Sequence, residues 1–106
     1  MESAPEGSVY MVTARNCTLK SHDQLTLQRK LRLISNCFDL PMLQVGQTPS
    51  SSRVQHVYVA LKGAHLMMNY FIESRTAVLT IVAEQPFLLQ DIRSAIRVQM
   101  KPSELI

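Results

Sequence analysis

The feature that most constrains the fold is an alternation of side-chain types between Arg53 and Ala83. Its first segment predicts a strand with two distinct faces, one formed by Val57, Val59 and Leu61 and the other by His56, Tyr58 and Ala60. A period of two residues is typical of strands. Turns at Lys62-Gly63 and Glu73-Ser74-Arg75 predict two further strands over residues 64–72 and 76–83. Three strands joined by tight turns indicate an antiparallel sheet.

Two segments with helical periodicity flank these strands. Ser21 and Gln24 form a capping box that predicts the start of the first helix, which must end before Pro41. The second helix is predicted to open at Pro86 and to end near Arg97. Both carry apolar stripes at helical spacing, formed by Leu27, Leu31, Ile34 and Phe38 in the first helix and by Leu88, Leu89, Ile92, Ala95 and Ile96 in the second.

Shorter signals complete the predicted element order. Residues 8–14 and 42–45 predict strands, "VQM" at 98–100 predicts a short edge strand, and residues 1–7 predict a flexible tail. The order is then β-α-β-β-β-β-α within a single domain over residues 8–106. We therefore expect an α+β fold, a two-layer sandwich of a mainly antiparallel sheet with two helices on one face.

This architecture leaves the other sheet face without helices, so that face must be either solvated or paired. Tyr58 and several Met and Val residues are predicted to lie there, and only 18% of the chain is charged. An exposed apolar face is typical of a protein interface. We therefore expect a homodimer or higher oligomer, with a sheet-to-sheet dimer as one arrangement.

Composition disfavours nucleic acid as a partner. The formal net charge is +3, and the one local concentration of basic residues is Arg29, Lys30 and Arg32. A nucleic-acid site requires a row of phosphate contacts. We therefore interpret these three residues as a solvated helix face.

Cofactor, metal and membrane signals are also missing from the sequence. With glycine only at Gly7, Gly46 and Gly63, the chain has no glycine-rich phosphate loop. Cys17 and Cys37 form no CxxC pair and have no metal-ligand spacing with the histidines. The polar start "MESAPEGS" is not a signal peptide, and no apolar run is long enough to cross a bilayer. We expect a cytoplasmic protein without a cofactor or metal.

One segment carries a family resemblance. "HVYVALKGAHLMMNYFIESRTAVLTIV", residues 56–82, resembles the central region of the small prokaryotic S-adenosylmethionine decarboxylases. Aligned without gaps, the shared positions are Leu61, His65, Glu73, Ala77 and Ile81. The surrounding order of strand, long helix, loop, three strands and helix is similar to that of the family.

The resemblance also shows what this sequence lacks. The family cuts its own backbone at the serine of a Glu-Ser-His turn to make a pyruvoyl group, but the matching position here is Ala64, preceded by Gly63. Alanine has no hydroxyl to attack the preceding carbonyl. Asn69 replaces the family's second histidine, and Glu84 replaces its proton-donating cysteine. The resemblance therefore implies a non-catalytic interaction or regulatory subunit, which pairs with itself or with an active homologue.

Two alternatives remain open at this stage. The chain could bind a nucleoside, S-adenosylmethionine or a polyamine through His65, Asn69 and Glu73, with Glu84 as another choice of acid. It could also be an enzyme in which His65, Glu73 and Tyr70 converge. Strand alternation places His65 and Asn69 on one face and Tyr70 on the other, which favours a binding pocket over a catalytic set. No catalytic residue is predicted.

Overall fold

A computed structural model describes Ser3–Ala4 and residues 7–106 of the chain. The two helices are α1 (Gln24–Ser35) and α2 (Leu89–Met100). The strands are β1 (Ser3–Ala4), β2 (Val9–Arg15), β3 (Met42–Gln47), β4 (Val54–Leu61), β5 (Ala64–Phe71), β6 (Thr76–Ala83), β7 (Phe87–Leu88) and β8 (Glu104–Leu105).

The main sheet has the strand order β3-β4-β5-β6-β2-β8, and its neighbouring strands are all antiparallel. The hairpin turns at Lys62-Gly63 and 72–75 join β4 to β5 and β5 to β6, as the sequence predicts. Gly63 has φ of +104°, a backbone conformation that residues with a Cβ atom rarely adopt. The turn chemistry of the sequence therefore sets the register of the three central strands.

The core lies between one face of the sheet and the two helices. Alternate residues of β4, β5 and β6 point into it, and the stripes of α1 and α2 cover them. Its fully buried side chains include Leu27, Leu31, Ile34, Val59, Leu66, Ile81 and Ile92. The predicted α+β sandwich, with both helices on one face of a mainly antiparallel sheet, is confirmed.

The start of α1 differs from the capping-box prediction. Asp23, not Ser21, is the N-cap residue, and its carboxylate accepts a hydrogen bond from the backbone N–H of Thr26 at 2.7 Å. Ser21 Oγ donates to the other Asp23 carboxylate oxygen at 2.8 Å. Gln24 reaches away from the cap to the Thr48 carbonyl oxygen. Ser21 therefore supports the cap indirectly, through its hydrogen bond to the capping carboxylate.

Two predictions for the C-terminal segment, the start of the second helix and the edge strand at 98–100, are wrong. The helix begins at Leu89 and not at Pro86, because Phe87–Leu88 pair with Ser3–Ala4 as a two-stranded sheet. Residues 98–100 are the last turn of α2, so the predicted edge strand at "VQM" is wrong. The edge strand is β8, which pairs with the end of β2.

The predicted tail over residues 1–7 falls partly outside the described residues, which exclude positions 1, 2, 5 and 6. Ser3–Ala4 form strand β1, and the backbone N–H of Gly7 donates to the Ala83 carbonyl oxygen at 2.7 Å. The described part of this segment is therefore attached to the fold by backbone hydrogen bonds. None of the helices in the described part of the chain is long and apolar enough to cross a membrane.

Candidate functional site

A cavity of about 410 Å³ lies on the sheet face opposite the helices, which we call the open face. Four neighbouring residues in the ladder, Tyr58, Met67, Thr80 and Met11, form one row across this face. The cavity is lined by Thr48, His56, Val57, Tyr58, Val59, His65, Leu66, Met67, Asn69, Thr80 and Val82. Its walls thus combine apolar side chains with a few polar groups, which is the usual composition of a ligand pocket.

His56 and Asn69 form the polar contact at one end of the cavity. They are direct partners in the β4–β5 register, and His56 Nδ1 is hydrogen-bonded to Asn69 Oδ1. An amide oxygen can only accept, so Nδ1 is the donor in this contact. The backbone N–H of His56 also donates to Ser50 Oγ at 2.9 Å. The imidazole is therefore held at a fixed position on the cavity wall.

His65 lies at the other end of the same cavity. It is exposed, and its register partners are Ala60 and Val82. Three residues of β5 separate it from Asn69, and the four strand steps span about 13 Å between Cα atoms. Met67 lies between them on the same face. The structure therefore brings His65 and Asn69 into one cavity, as predicted, but not into contact with each other.

Tyr58 forms a side wall of the cavity by lying across the edge strand β3. Its phenolic oxygen accepts a hydrogen bond from Gln44 Nε2 at 3.0 Å. A Cβ atom added at Gly46 would lie 2.5 Å from that oxygen. Gly46 is therefore required for close approach of the ring, because any side chain there would displace Tyr58.

Glu73 lies away from the cavity. It belongs to the β5–β6 turn, where it is 80% exposed and forms an ion pair with Arg53 at 3.8 Å. Glu84, the other predicted acid, is exposed in the segment after β6 and is not among the lining residues. The structure thus does not bring together the predicted set of His65, Asn69 and Glu73, because Glu73 lies two residues past the end of β5 and beyond the open face.

The structure also fails to support the alternative of an enzyme in which His65, Glu73 and Tyr70 converge. Tyr70 is buried on the helix side of the sheet, where its ring stacks against His22 with centroids 6.1 Å apart. Burial raises the pKa of its phenol, so Tyr70 stays protonated at neutral pH. His65, Glu73 and Tyr70 therefore lie in three different places, and they do not converge.

Ala64, the residue that replaces the family's serine, is the first residue of β5. It is fully buried and pairs with Leu61 and Ala83. A Cβ at the preceding Gly63 would lie 3.0 Å from the Gln85 side chain, so the turn is tightly packed as well as conformationally restricted. Ala64 thus places a buried methyl group directly after the Lys62-Gly63 turn.

The thiols are poorly suited to act as nucleophiles. Burial raises the pKa of Cys17, and its Sγ donates to the Ala14 carbonyl oxygen at 3.3 Å. Burial also raises the pKa of Cys37, with the Asp91 carboxylate acting in the same direction. A protonated thiol is a weak nucleophile. In the described residues, no group of three or more His, Cys, Asp or Glu side chains is placed to hold a metal ion.

Sequence reasoning missed four polar residues of the cavity wall: His56, Thr48, Tyr58 and Thr80. Three of them could have been found from the alternation, because His56 and Tyr58 share a face of β4 and Thr80 lies on the same face of β6. The register that places His56 opposite Asn69 follows from counting outwards from the Lys62-Gly63 turn. Thr48 gave no such signal, since it lies in a loop.

Comparison with solved structures reveals the same fold in an enzyme. The crystal structure of the adenosylmethionine decarboxylase from Aquifex aeolicus VF5 matches 97% of this chain and 88% of that chain, with a TM-score of 0.74 and 12% sequence identity. No family model and no curated protein sequence matches the chain. The chain therefore shares the fold of this decarboxylase. The resemblance predicted from residues 56–82 is confirmed as a similarity of fold.

Proposed function

We propose that this chain is a non-catalytic protein with an adenosylmethionine-decarboxylase-like fold, which acts by binding a partner chain through the open face of its sheet. The observation that carries the proposal is the composition of that face. A sheet face in contact with water normally carries polar and charged side chains. The open face of this sheet carries few charged side chains and several exposed apolar ones.

The exposed apolar side chains of the open face come from both halves of the sheet. Val9 is 64% exposed and Met11 60%, and Met67 and Phe71 are each 41% exposed. The other side chains on this face of β2, β4, β5 and β6 include no Asp, Glu or Lys, and no Arg except Arg15 at the end of β2. Besides Arg15, they are Thr13, Val54, His56, Tyr58, Ala60, His65, Asn69, Thr76, Val78, Thr80 and Val82. A second sheet can pack on such a face at a spacing of about 10 Å.

The non-catalytic part of the proposal is supported by Ala64. A chain that cleaves itself at this position would need a hydroxyl there to attack the preceding carbonyl. Ala64 has none, and its methyl group is packed in the core. On the open face, His65 and the His56–Asn69 pair have no carboxylate among the described lining residues of the cavity. General acid–base chemistry is therefore poorly supported there.

The partner that we propose is a second copy of this chain or, in a regulatory role, an active enzyme of the same fold. Multi-angle light scattering over a range of protein concentrations tests the first, with a dimer expected. Mixing the chain with the adenosylmethionine decarboxylase of its source tests the second, with a complex and altered decarboxylation expected. A chain that stays monomeric and forms no complex with that enzyme would overturn the proposal.

Intact-mass measurement tests the non-catalytic part separately. We expect one uncut chain of about 12.0 kDa. Two fragments produced by cleavage between Gly63 and Ala64 would contradict it. This result does not depend on association, so the two parts of the proposal can fail independently.

Small-molecule binding is a second candidate function, and the cavity itself favours it. A volume of about 410 Å³ lies within the usual range for ligand sites, and His56, Asn69 and His65 supply polar groups at its two ends. The resemblance points to a nucleoside, S-adenosylmethionine or a polyamine. A second sheet on the open face would also enclose the cavity, so the two functions are compatible.

Titration calorimetry with S-adenosylmethionine and spermidine tests this candidate. We expect binding that weakens in Asn69→Ala and His65→Ala but not in Glu73→Gln, because Glu73 lies outside the cavity. Glu73→Gln is thus the matched control. The absence of heat and of any change in melting temperature with either ligand would exclude this function.

A further inference from the structure

A second concave surface, on the helix side of the molecule, concentrates positive charge. This groove of about 360 Å³ is built from three segments: the loop after β2, the first turns of α1 and the end of α2. Its lining residues are Thr18, Leu19, Lys20, Ser21, Thr26, Lys30, Gln99 and Lys101. None of them lines the cavity of the open face, so the groove is a separate site.

The groove contains three of the four lysines in the chain. In the described part of the chain, none of the three forms an ion pair, and no Asp or Glu side chain lines the groove. Asp23 is the nearest carboxylate in the sequence, and it is bonded to two residues of the lining, the Thr26 N–H and the Ser21 hydroxyl. Three lysines thus stand against one neighbouring carboxylate, which leaves the groove with an excess of positive charge.

The segments that carry the lysines are anchored to one another. The backbone N–H of Thr18 donates to the Met100 carbonyl oxygen at 3.2 Å, which attaches the loop to the end of α2. Lys101 adopts a left-handed conformation as the C-cap of α2, and its N–H donates to the Arg97 carbonyl oxygen at 3.2 Å. Lys30 is half-buried on α1. The fold thus brings lysines from three separate segments to one groove, so that each of them adds to the attraction of a bound anion.

We infer that this groove binds a compact, multivalent phosphate anion, such as pyrophosphate or tripolyphosphate. Each lysine ammonium supplies a point charge with three donors, and Thr18 and Thr26 add hydroxyl groups to the lining. The three lysines line a single groove of about 360 Å³. That arrangement suits a small polyanion better than the backbone of a nucleic acid.

The test is titration calorimetry with tripolyphosphate at low ionic strength on the wild-type chain and on three single variants. Lys30→Gln and Lys101→Gln should each weaken binding about threefold to tenfold. Lys62→Gln is the control, because it removes the same charge from the β4–β5 turn, outside the groove. Binding by Lys62→Gln should equal that of the wild type. Inorganic phosphate should bind more weakly than tripolyphosphate, and added salt should weaken both.

Three outcomes would overturn the inference: no detectable binding of tripolyphosphate, equal weakening by Lys62→Gln, or tighter binding of a single-stranded oligonucleotide that depends on Lys30 and Lys101. Circular dichroism of each variant confirms that a loss of binding is not a loss of folding. Neither the open face nor Ala64 takes part in this experiment, so its result is independent of the proposed function.

Discussion

His56 and Asn69 face each other across the β4–β5 ladder, with the imidazole Nδ1 hydrogen-bonded to the amide Oδ1. Asn69 occupies the position where the decarboxylase resemblance places a histidine. Here its amide oxygen is used to fix the neighbouring imidazole. The pair therefore serves to shape a cavity wall, and the same interaction can be tested by its contribution to stability.

Asn69→Ala should lower the free energy of unfolding by about 0.5–1.5 kcal/mol, because it removes a partly buried hydrogen bond between neighbouring strands. Urea denaturation of the wild type and the variant measures the difference. His65→Ala is the control on the same face, since His65 is exposed, and its effect should stay within about 0.5 kcal/mol. Equal effects of the two substitutions would show that the His56–Asn69 contact contributes nothing specific.

Gly46→Ala should destabilise the protein by about 1–3 kcal/mol, because the new Cβ would overlap the phenolic oxygen of Tyr58. The double variant Gly46→Ala with Tyr58→Ala should lose less than the sum of the two single variants, since the second change removes the overlap. Chemical denaturation of all four proteins gives this coupling. Additive losses would mean that Tyr58 does not lie over Gly46 in solution.

Asp23 should make the stability of α1 depend on pH. Hydrogen bonds from the Thr26 N–H and then from the Ser21 hydroxyl lower its pKa below the ordinary value of 3.8. Such a group stabilises the fold above its unfolded pKa, and the contribution is lost as pH falls through the lower folded value.

The matched variant for this prediction is Asp23→Asn, which keeps a capping side chain but cannot ionise. At pH 6 the wild type should unfold at a higher urea concentration than Asp23→Asn. This difference in urea midpoint should shrink and disappear as the pH falls below the ordinary Asp pKa of 3.8. An advantage that stayed constant over this range would contradict the assignment of Asp23 as the ionised N-cap.

Cys17 should resist modification in the folded protein. It is buried, and burial raises its pKa, so little thiolate is available to react. In the variant Cys37→Ser, a disulfide exchange reagent at pH 8 should react at less than about a tenth of the rate seen in urea. Fast reaction without denaturant would show that the loop after β2 opens readily, and would also weaken the description of the lysine groove.

Much of the fold could be predicted because two local patterns agree with it. Alternation around the Lys62-Gly63 turn predicts β4 and β5 and their register, and the apolar stripe from Leu27 to Ile34 predicts α1. The predictions were wrong where contacts between distant parts of the chain set the bounds of an element. Phe87–Leu88 pair with Ser3–Ala4 and delay the start of α2, an interaction between segments more than 80 residues apart that no local pattern shows.

The candidate site was only partly predictable for a related reason. Strand alternation placed His65 and Asn69 on one face, and the structure confirms that they share a cavity. Glu73 was predicted as the acid that an amine or sulfonium ligand would need, but it lies in the β5–β6 turn, where it forms an ion pair with Arg53. The position of Tyr58 over Gly46 depends on the pairing of β3 with β4 across a loop, which the sequence alone does not give.

The central claim is that the open face binds a partner chain, and a pair of charge substitutions tests it most directly. Met67→Glu places a carboxylate on the open face, where Met67 is 41% exposed, whereas Val98→Glu places one on the outer surface of α2, where Val98 is 65% exposed. Sedimentation equilibrium of the two variants and the wild type should show a dimer for the wild type and for Val98→Glu. Met67→Glu should raise the dimer dissociation constant about a hundredfold or more, because it buries an unpaired charge. An unchanged dimer in Met67→Glu, or dissociation only in Val98→Glu, would contradict the claim.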